Sequence, residues 1–379
     1  MPLRKTSAWP LVLAYVVLIV YASLYPFAEW RSQGIHPWAF VGSPPPRFWT
    51  VFDVVTNVVG YAPLGFLLTL AQMRSFGTGH AGASAMRAVV VAAGLSFVLE
   101  TLQSYLPTRV PSNLDLALNA GGAAIGAAMA AILERLGVLV RWSRFRARWF
   151  LPHAGTELVL LALWPIALLF PAPVPFGLGQ VLERLELAVA EWLENTPFLE
   201  WVPLREVELQ PLVPAVQMLC VALGLVLPSL LAYSVARGAV RRLLLATGLF
   251  VTGFLVTGLS AALSYGPSHA WAWIDLPTQV GAIGAALLVL LLLPVPAAGC
   301  AAICLMLVVM HAAMLNQAPA GAYFSQTLQT WEQGRFIRFN GVAQWLGWLW
   351  PYLVMVLVLQ RLTFWRRIAV AHADEASGF

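Results

Sequence analysis

The chain has 379 residues, of which 60% are hydrophobic and only 10% are charged. Its mean hydropathy of +0.77 and its long apolar runs are typical of membrane proteins. Runs of this length exclude a transmembrane β-barrel, whose strands are shorter and alternate apolar with polar residues. The net charge of +5 lies almost wholly in short loops between apolar runs, so it does not indicate nucleic-acid binding.

Ten segments are apolar enough to cross a membrane, which takes roughly 20 residues in helical form. Helices satisfy every backbone polar group within the segment, so the pattern predicts an all-α polytopic membrane protein. No soluble domain is visible between the segments. In chain order they are 8–27, 53–73, 87–106, 114–134, 154–171, 211–235, 241–264, 275–293, 297–315 and 342–363.

The first segment follows a short basic stretch, as in a secretory signal peptide. Its apolar run is too long for a signal peptide, and an A-x-A cleavage site is missing, so we expect an uncleaved first helix. Cys220, Cys300 and Cys304 all lie within predicted spans. We interpret them as small core side chains rather than disulfide partners or metal ligands, and we predict no metal and no cofactor.

The distribution of arginine and lysine predicts the orientation. With a cytoplasmic amino terminus, 15 of the 22 basic residues face the cytoplasm, with the loop "RWSRFRARW" as a main contributor. Both termini are then cytoplasmic, in a bacterial inner membrane. An acidic segment near 178–210 falls outside and predicts an amphipathic helix that lies on the outer leaflet or covers the bundle. The outer basic residues are Arg31, Arg47, Arg109, Arg184, Arg205, Arg335 and Arg338.

Polar side chains recur at the outer ends of the second, third and fourth segments. Each segment carries a carboxylate and an amide about one helical turn apart, which places them on one helix face. Ser112 or Asn113 is predicted to cap the fourth segment. We therefore predict one polar pocket that opens to the extracytoplasmic side, lined by Asp53, Asn57, Glu100, Gln103, Arg109, Asp115 and Asn119.

These groups have a structural and a functional interpretation. Polar side chains within a membrane can simply hold helices together. However, three carboxylates and one arginine leave a formal excess of two negative charges, which calls for a proton, a cation or a donor-rich ligand. We expect Glu100, which lies within its span, to be the protonated member.

Several short motifs give a family resemblance. The runs "YASLYPF", "DVVTNVVGYAPLGFLL" and "SFVLETLQSYLPTRVPSNLDLALNAGGAAIGA" occur in order and resemble the VanZ-like membrane family over roughly residues 10–135. The resemblance implies a bacterial envelope membrane protein, in a family associated with resistance to teicoplanin-type antibiotics. Its signature positions correspond here to Asp53, Asn57, Pro63, Gly65, Glu100, Gln103, Arg109, Asp115, Asn119 and Gly122. Members of the family are usually shorter, and the remaining two-thirds of the chain departs from the pattern.

The later part of the chain contains a stretch that is similar in sequence to one in the first part. The stretch "SYLPTRVPSNLDLALN" (104–119) aligns without gaps with "SYGPSHAWAWIDLPTQ" (264–279), so that Asp115 matches Asp275. We predict a parallel repeat of segments one to four in segments five to eight. Its second copy is degenerate, because Ser260 stands where Glu100 would be. The predicted domains are 8–137 (VanZ-like), 154–294 (degenerate repeat) and 297–363 (an additional two-helix segment).

Three functions fit the residues. The first is binding or handling of an envelope component beside membrane lipids, such as a lipid-linked saccharide or peptidoglycan precursor, with Arg109 holding a phosphate. The second is an enzyme that uses Glu100 as acid or base on a similar substrate. The third, a transporter, is favoured only by the repeat. The residues favour binding over catalysis, and the missing Walker motif, nucleophile elbow and dinucleotide fingerprint argue against ATP-driven or hydride chemistry.

Overall fold

The computed structural model describes residues 8–25, 27, 29–44, 46, 48–76, 81–152, 154–201, 212–318 and 337–377. These residues form helices and loops without a β-strand, apart from one isolated bridge between Phe150 and Ala236. The chain divides into two compact units, Met1–Ala147 and Arg148–Phe379. The basic residues Arg4, Lys5, Arg47, Arg205 and Arg335, which were counted for the orientation, lie outside the described residues.

The described ranges contain thirteen α-helices and two short 3-10 helices, Pro197–Trp201 and Pro267–His269. The α-helices are α1 (Ala8–Leu24), α2 (Ala39–Gly42), α3 (Val51–Phe76), α4 (Ala81–Gln103), α5 (Asn113–Arg135), α6 (Val138–Trp149), α7 (Gly155–Leu168), α8 (Leu182–Leu193), α9 (Pro214–Tyr233), α10 (Ala239–Tyr265), α11 (Leu276–Leu291), α12 (Ala297–Leu315) and α13 (Ile337–Ser377).

Seven of these helices are long and apolar enough to cross a membrane, which confirms the prediction of an all-α polytopic membrane protein. The helices α1, α7 and α11 are also apolar but shorter, at 17, 14 and 16 residues. Each of the ten predicted segments therefore coincides with a helix, while a crossing by the three shorter ones stays a prediction. The seven long spans are Asp53–Phe76, Ala81–Gln103, Asn113–Arg135, Pro214–Tyr233, Ala239–Tyr265, Ala297–Leu315 and Gly341–Trp365.

In the first unit, α3 and α5 pack against each other through glycines. A Cβ atom added at Gly126 would lie only 1.8 Å from the carbonyl oxygen of Ala62, and one added at Gly65 would lie 2.0 Å from that of Ala123. The two backbones are thus in direct contact, which only small residues permit in a membrane. This contact brings the amino-terminal turns of α3 and α5 together.

The remaining parts of the first unit surround this pair. The Tyr15 hydroxyl of α1 donates a hydrogen bond of 2.9 Å to the Gly60 carbonyl of α3. The loop after α1 covers the end of α4, because the Gln33 amide donates to the Ser104 carbonyl at 2.9 Å. In α2, the buried ring of Phe40 contacts that of Phe97. This end of the bundle is therefore ordered by contacts between residues distant in sequence.

The second unit is built around α9, most of which is buried. The Trp350 indole N–H donates to the Leu160 carbonyl at 2.8 Å and so ties α13 to α7. Buried Asn316 accepts hydrogen bonds from the N–H groups of Val181 and Leu182 at 3.0 and 2.9 Å, which satisfies the start of α8. The predicted amphipathic helix is present as α8, and residues 202–210 of that segment lie outside the described residues.

As expected for core side chains, the thiols of Cys220, Cys300 and Cys304 are free and their residues fully buried.

One ion pair in this unit gives a stability prediction. Arg361 of α13 contacts Glu157 of α7, and both side chains are largely buried. We expect Glu157→Gln to lower the free energy of unfolding by about 2 kcal/mol, because a charge-assisted hydrogen bond is replaced while the guanidinium stays buried. Thermal unfolding in detergent measures the change. The matched control is Glu191→Gln on the exposed side of α8, which should alter stability by less than about 0.5 kcal/mol. Equal midpoints for the two variants would contradict the prediction.

Candidate functional site

The starts of α3 and α5 are each fixed by a local capping interaction. At the start of α3, the Asp53 carboxylate accepts hydrogen bonds from the Thr50 N–H (2.9 Å) and hydroxyl (2.7 Å), and the Thr50 hydroxyl accepts from the Asp53 N–H at 3.2 Å. This reciprocal pair is a capping box. Ser112 caps α5 by accepting from the N–H groups of Leu114 and Asp115, as predicted. The Asp53 side chain is exposed and is held by Thr50 at the start of its own helix.

Three polar links join the helices behind these caps, which we name the polar cluster: Asn57–Asp115, Glu100–Ser112 and Ser96–Asn119. In the first link, the Asn57 amide of α3 donates to the Asp115 carboxylate of α5 at 2.8 Å. Both side chains are half-buried. The pair therefore fixes the register of α3 against α5 at the end where Asp53 also lies.

Glu100 makes the second link. Its side chain points into the protein, since the residue is only 4% exposed. Its Oε2 accepts a hydrogen bond of 2.9 Å from the backbone N–H of Ser112, the residue that caps α5. Tyr61 of α3 lies close enough to interact with both Glu100 and Ser96. Among the described residues no second hydrogen-bond donor contacts the Glu100 carboxyl.

Asn119 makes the third link and leaves an atom unsatisfied. Its Nδ2 donates to the Ser96 hydroxyl at 2.9 Å, and both residues are almost fully buried. The Oδ1 of Asn119 is buried without a hydrogen-bond partner. Turning the amide over exchanges the two atoms, but one of them still has no partner. Buried polar groups are normally paired. The unpaired Asn119 oxygen is therefore a position where a hydrogen-bond donor from another molecule could bind.

Gln103 and Arg109 contact the end of α1 rather than the carboxylates. The Gln103 amide donates to the Ser23 carbonyl at 3.0 Å, and the Arg109 guanidinium donates to the Tyr25 carbonyl at 2.7 Å. Within the described ranges Arg109 forms no ion pair with a carboxylate, and its Nε is buried without a partner. We predicted Arg109 beside three carboxylates, but its guanidinium donates to a backbone carbonyl instead. It therefore does not neutralise the carboxylates by direct contact.

The polar cluster is richer in acceptors than in donors. Glu100 and Asp115 each accept one inter-helix hydrogen bond, and Asn119 holds an unused oxygen. Within the described residues, no three His, Cys, Asp or Glu side chains are grouped so as to hold a metal ion. The arrangement can therefore accept hydrogen bonds from a hydroxyl, amide or ammonium group.

Two members of the site were not expected from the sequence. Tyr61 lies one helical turn after Asn57, so the four-residue spacing could have placed it on the same face of α3. Thr50 precedes Asp53 by three residues, which is the spacing of a capping box. The structure brings together Asn57, Glu100, Asp115 and Asn119 as linked neighbours, while Gln103 and Arg109 form a second group at α1. That any of them binds a ligand stays a prediction.

The second unit contains a link of the same kind. The Gln217 amide of α9 donates to the Asp275 carboxylate at the start of α11, at 2.9 Å. The same carboxylate accepts a hydrogen bond of 2.9 Å from the Thr278 N–H and so caps α11. Ser260, which stands at the position matching Glu100, donates instead to the Leu169 carbonyl at 2.9 Å.

Comparison with known proteins places the polar cluster inside a recognised family region. Residues 9–134 match the VanZ/LLP1 family model, so the N-terminal third of the chain is VanZ-like, as the motifs predicted. The matched region runs from α1 to the last turn of α5 and contains every predicted site residue. Searches of curated proteins and of solved structures returned no match.

Proposed function

We propose that the polar cluster binds a cell-envelope component that offers hydroxyl or amide donors, at the outer face of a bacterial cytoplasmic membrane. A lipid-linked saccharide or a peptidoglycan-type precursor has this chemistry. The unpaired buried oxygen of Asn119, in a cluster with buried Glu100, is the observation that carries the proposal. An unpaired buried polar atom costs about 1–3 kcal/mol, which a donor from the ligand would recover.

The positive charge of Arg109, in the loop between α4 and α5, supports the same ligand class. Arg109 uses one nitrogen on the Tyr25 carbonyl, and its Nε has no partner. A guanidinium with free N–H groups suits a phosphate. A lipid-linked saccharide would present hydroxyls to the polar cluster and a phosphate to Arg109, while its acyl chains stay in the bilayer. Through such a ligand the protein would affect resistance to glycopeptide antibiotics, in keeping with the VanZ-like region.

An acid/base reaction on such a ligand is a second proposal. Glu100 is buried, accepts one hydrogen bond from Ser112 and has the Tyr61 hydroxyl nearby. A carboxyl in such a setting can hold or give up a proton close to a bound substrate. The two proposals use the same residues but differ in whether a covalent bond changes.

A comparison of the envelope lipids of a deletion strain with those of the parent separates these functions. Loss of a covalent product, restored by the wild-type chain but not by Glu100→Gln, would favour the enzyme. An altered distribution of lipid-linked saccharide without a lost product would favour binding. Native mass spectrometry of the purified chain with undecaprenyl-phosphate saccharides then tests contact directly. No retained saccharide and no change in the envelope would refute both proposals.

The outward direction of the site gives a topology prediction. A reporter fused after Arg148 should be cytoplasmic, and one inserted within α8 should be extracytoplasmic, because 15 of the 22 basic residues then face the cytoplasm. Paired alkaline phosphatase and fluorescent-protein fusions measure the two positions. Both reporters on the same side would contradict the predicted topology, and exchange of the two sides would turn the polar cluster to the cytoplasm.

A further inference from the structure

In the helix α6, three of the four arginines lie on one face, beside a face of apolar side chains. Arg141, Arg144 and Arg148 follow the i, i+3, i+7 spacing and fall within an arc of about 60° on a helix of 3.6 residues per turn. Val138, Trp142 and Phe145 occupy a second arc of about 60° beside the first. No acidic residue lies within the helix.

Both faces of α6 are open. The three arginines are exposed, and in the part of the chain that the structure describes none of them forms an ion pair with a carboxylate. On the apolar face, Trp142 is 54% exposed and Phe145 is 40% exposed, and their rings stack at 5.5 Å. The Arg141 guanidinium donates a hydrogen bond of 3.1 Å to the Leu136 carbonyl at the end of α5.

We propose that α6 lies in the membrane interface and binds the headgroups of anionic phospholipids. Its apolar face enters the boundary between headgroups and acyl chains, as in other amphipathic interfacial helices. The three arginines then reach phosphates beside that face, and their planar guanidinium groups suit bidentate contact. The helix follows directly on the span α5, which keeps it at membrane depth.

Charge complementarity favours anionic phospholipids as the binding partner of α6. Three unpaired positive charges over two helical turns attract an anionic surface, and each basic residue at such a surface is worth about a fivefold change in affinity. The exposed tryptophan and phenylalanine favour the interface over water. An acidic soluble protein would satisfy the charges but would leave the aromatic face in contact with water.

Native mass spectrometry of the purified full-length chain tests the preference. The probe is an equimolar mixture of phosphatidylglycerol and phosphatidylcholine with identical acyl chains. The wild-type chain should retain phosphatidylglycerol, and the triple variant Arg141→Gln/Arg144→Gln/Arg148→Gln should bind it about a hundredfold more weakly. The triple lysine variant keeps the charges and should retain it. Equal retention by the glutamine variant and the wild-type chain would overturn the proposal.

Spin labels give an independent test of the position of α6. The three native cysteines are fully buried, so labels can be placed at Trp142→Cys on the apolar face and at Ala147→Cys on the opposite side. In vesicles containing phosphatidylglycerol, the label at 142 should meet dissolved oxygen and the label at 147 a polar nickel reagent. Equal exposure of both labels to the polar reagent would place α6 in water, as expected for a protein-docking surface, and would refute the proposal.

A different observation carries a second inference, about the two amide–carboxylate links. Asn57 precedes Asp115 by 58 residues, and Gln217 precedes Asp275 by the same 58. Both links join a long helix to the start of the helix packed most closely against it. In each case a glycine approaches the partner backbone next to the amide. A Cβ added at Gly122 would lie 2.3 Å from the Val58 oxygen, and one added at Gly281 would lie 2.5 Å from the Met218 oxygen.

We infer that α9 and α11 are a diverged copy of α3 and α5, and that the amide–carboxylate link is a structural clamp in both. Glu100 has no counterpart in the second unit, where Ser260 serves a backbone carbonyl. If the proposed function holds, ligand contact therefore falls to Glu100 and Asn119 rather than to Asp115.

Matched substitutions test this inference without reference to any ligand. Asp115→Asn and Asp275→Asn should each lower the unfolding midpoint of the full chain in detergent, by amounts that agree within about twofold, because each removes one charge-assisted link. The further variants Asn57→Leu and Gln217→Leu should add little to the corresponding aspartate change, since each pair acts as a unit. A silent Asp275→Asn beside a destabilising Asp115→Asn would overturn the inference.

Discussion

Replacing Gly126 with leucine should prevent folding of the first unit. A Cβ at this position would lie 1.8 Å from the Ala62 carbonyl oxygen and 2.9 Å from the Phe66 nitrogen, both of which are backbone atoms that no rotamer change can move. The helices α3 and α5 would have to separate, and the polar cluster depends on their contact. We expect a loss of about 3 kcal/mol or more, measured as thermal unfolding or as yield of monodisperse protein in detergent.

The same helix offers a matched control. Gly121 lies five residues earlier on α5, and a Cβ added there would meet no atom within 4 Å. Gly121→Ala should leave the midpoint unchanged or raise it slightly, since alanine is favoured over glycine in helices by up to about 1 kcal/mol. Similar behaviour of Gly126→Leu and Gly121→Ala would mean that α3 and α5 do not touch as described.

Glu100→Gln should leave the protein folded while removing most of its function. Glutamine keeps the side-chain length and an oxygen that can accept from the Ser112 N–H, which is the hydrogen bond that Glu100 makes. We expect Glu100 to be protonated in the free protein, so glutamine matches its charge and costs about as much to bury. What is lost is the ability of the side chain to ionise when a donor-rich ligand binds. A hydrogen bond to a charged group exceeds a neutral one by roughly 1.4 kcal/mol, so ligand binding should fall about tenfold or more. The measurements are thermal stability in detergent and complementation of a deletion strain.

Glu134→Gln is the control for this change. Glu134 lies in the last turn of α5, while the polar cluster is at the first turns of that helix. The same Glu-to-Gln change is therefore made away from the cluster. It should preserve both stability and complementation. If Glu100→Gln lost stability in step with function, the polar cluster would be a structural element only and the proposed ligand site would be wrong.

Composition and local pattern determined the class of the fold and its local features. Apolar runs predicted ten of the thirteen α-helices in the described ranges, because a bilayer requires backbone groups to be satisfied within a segment. Ser112 was predicted as one of two candidate caps for α5, and it is the cap. Gly122 and Gly126 are four residues apart, which places them on one face of α5, and both allow close contact with α3. These features depend on neighbours within one or two turns, which a sequence displays directly.

Only the tertiary structure decided which partner each polar side chain takes. From the sequence, Arg109 was expected beside Glu100 and Asp115, since opposite charges attract. In the fold, α1 ends at Leu24, and the carbonyls at a helix end have no partner within the helix. The Tyr25 carbonyl, 84 residues away in the chain, takes the Arg109 guanidinium. Glu100 turns to a backbone N–H at the start of α5 because the packing of α3, α4 and α5 sets that distance, and no short-range pattern records it.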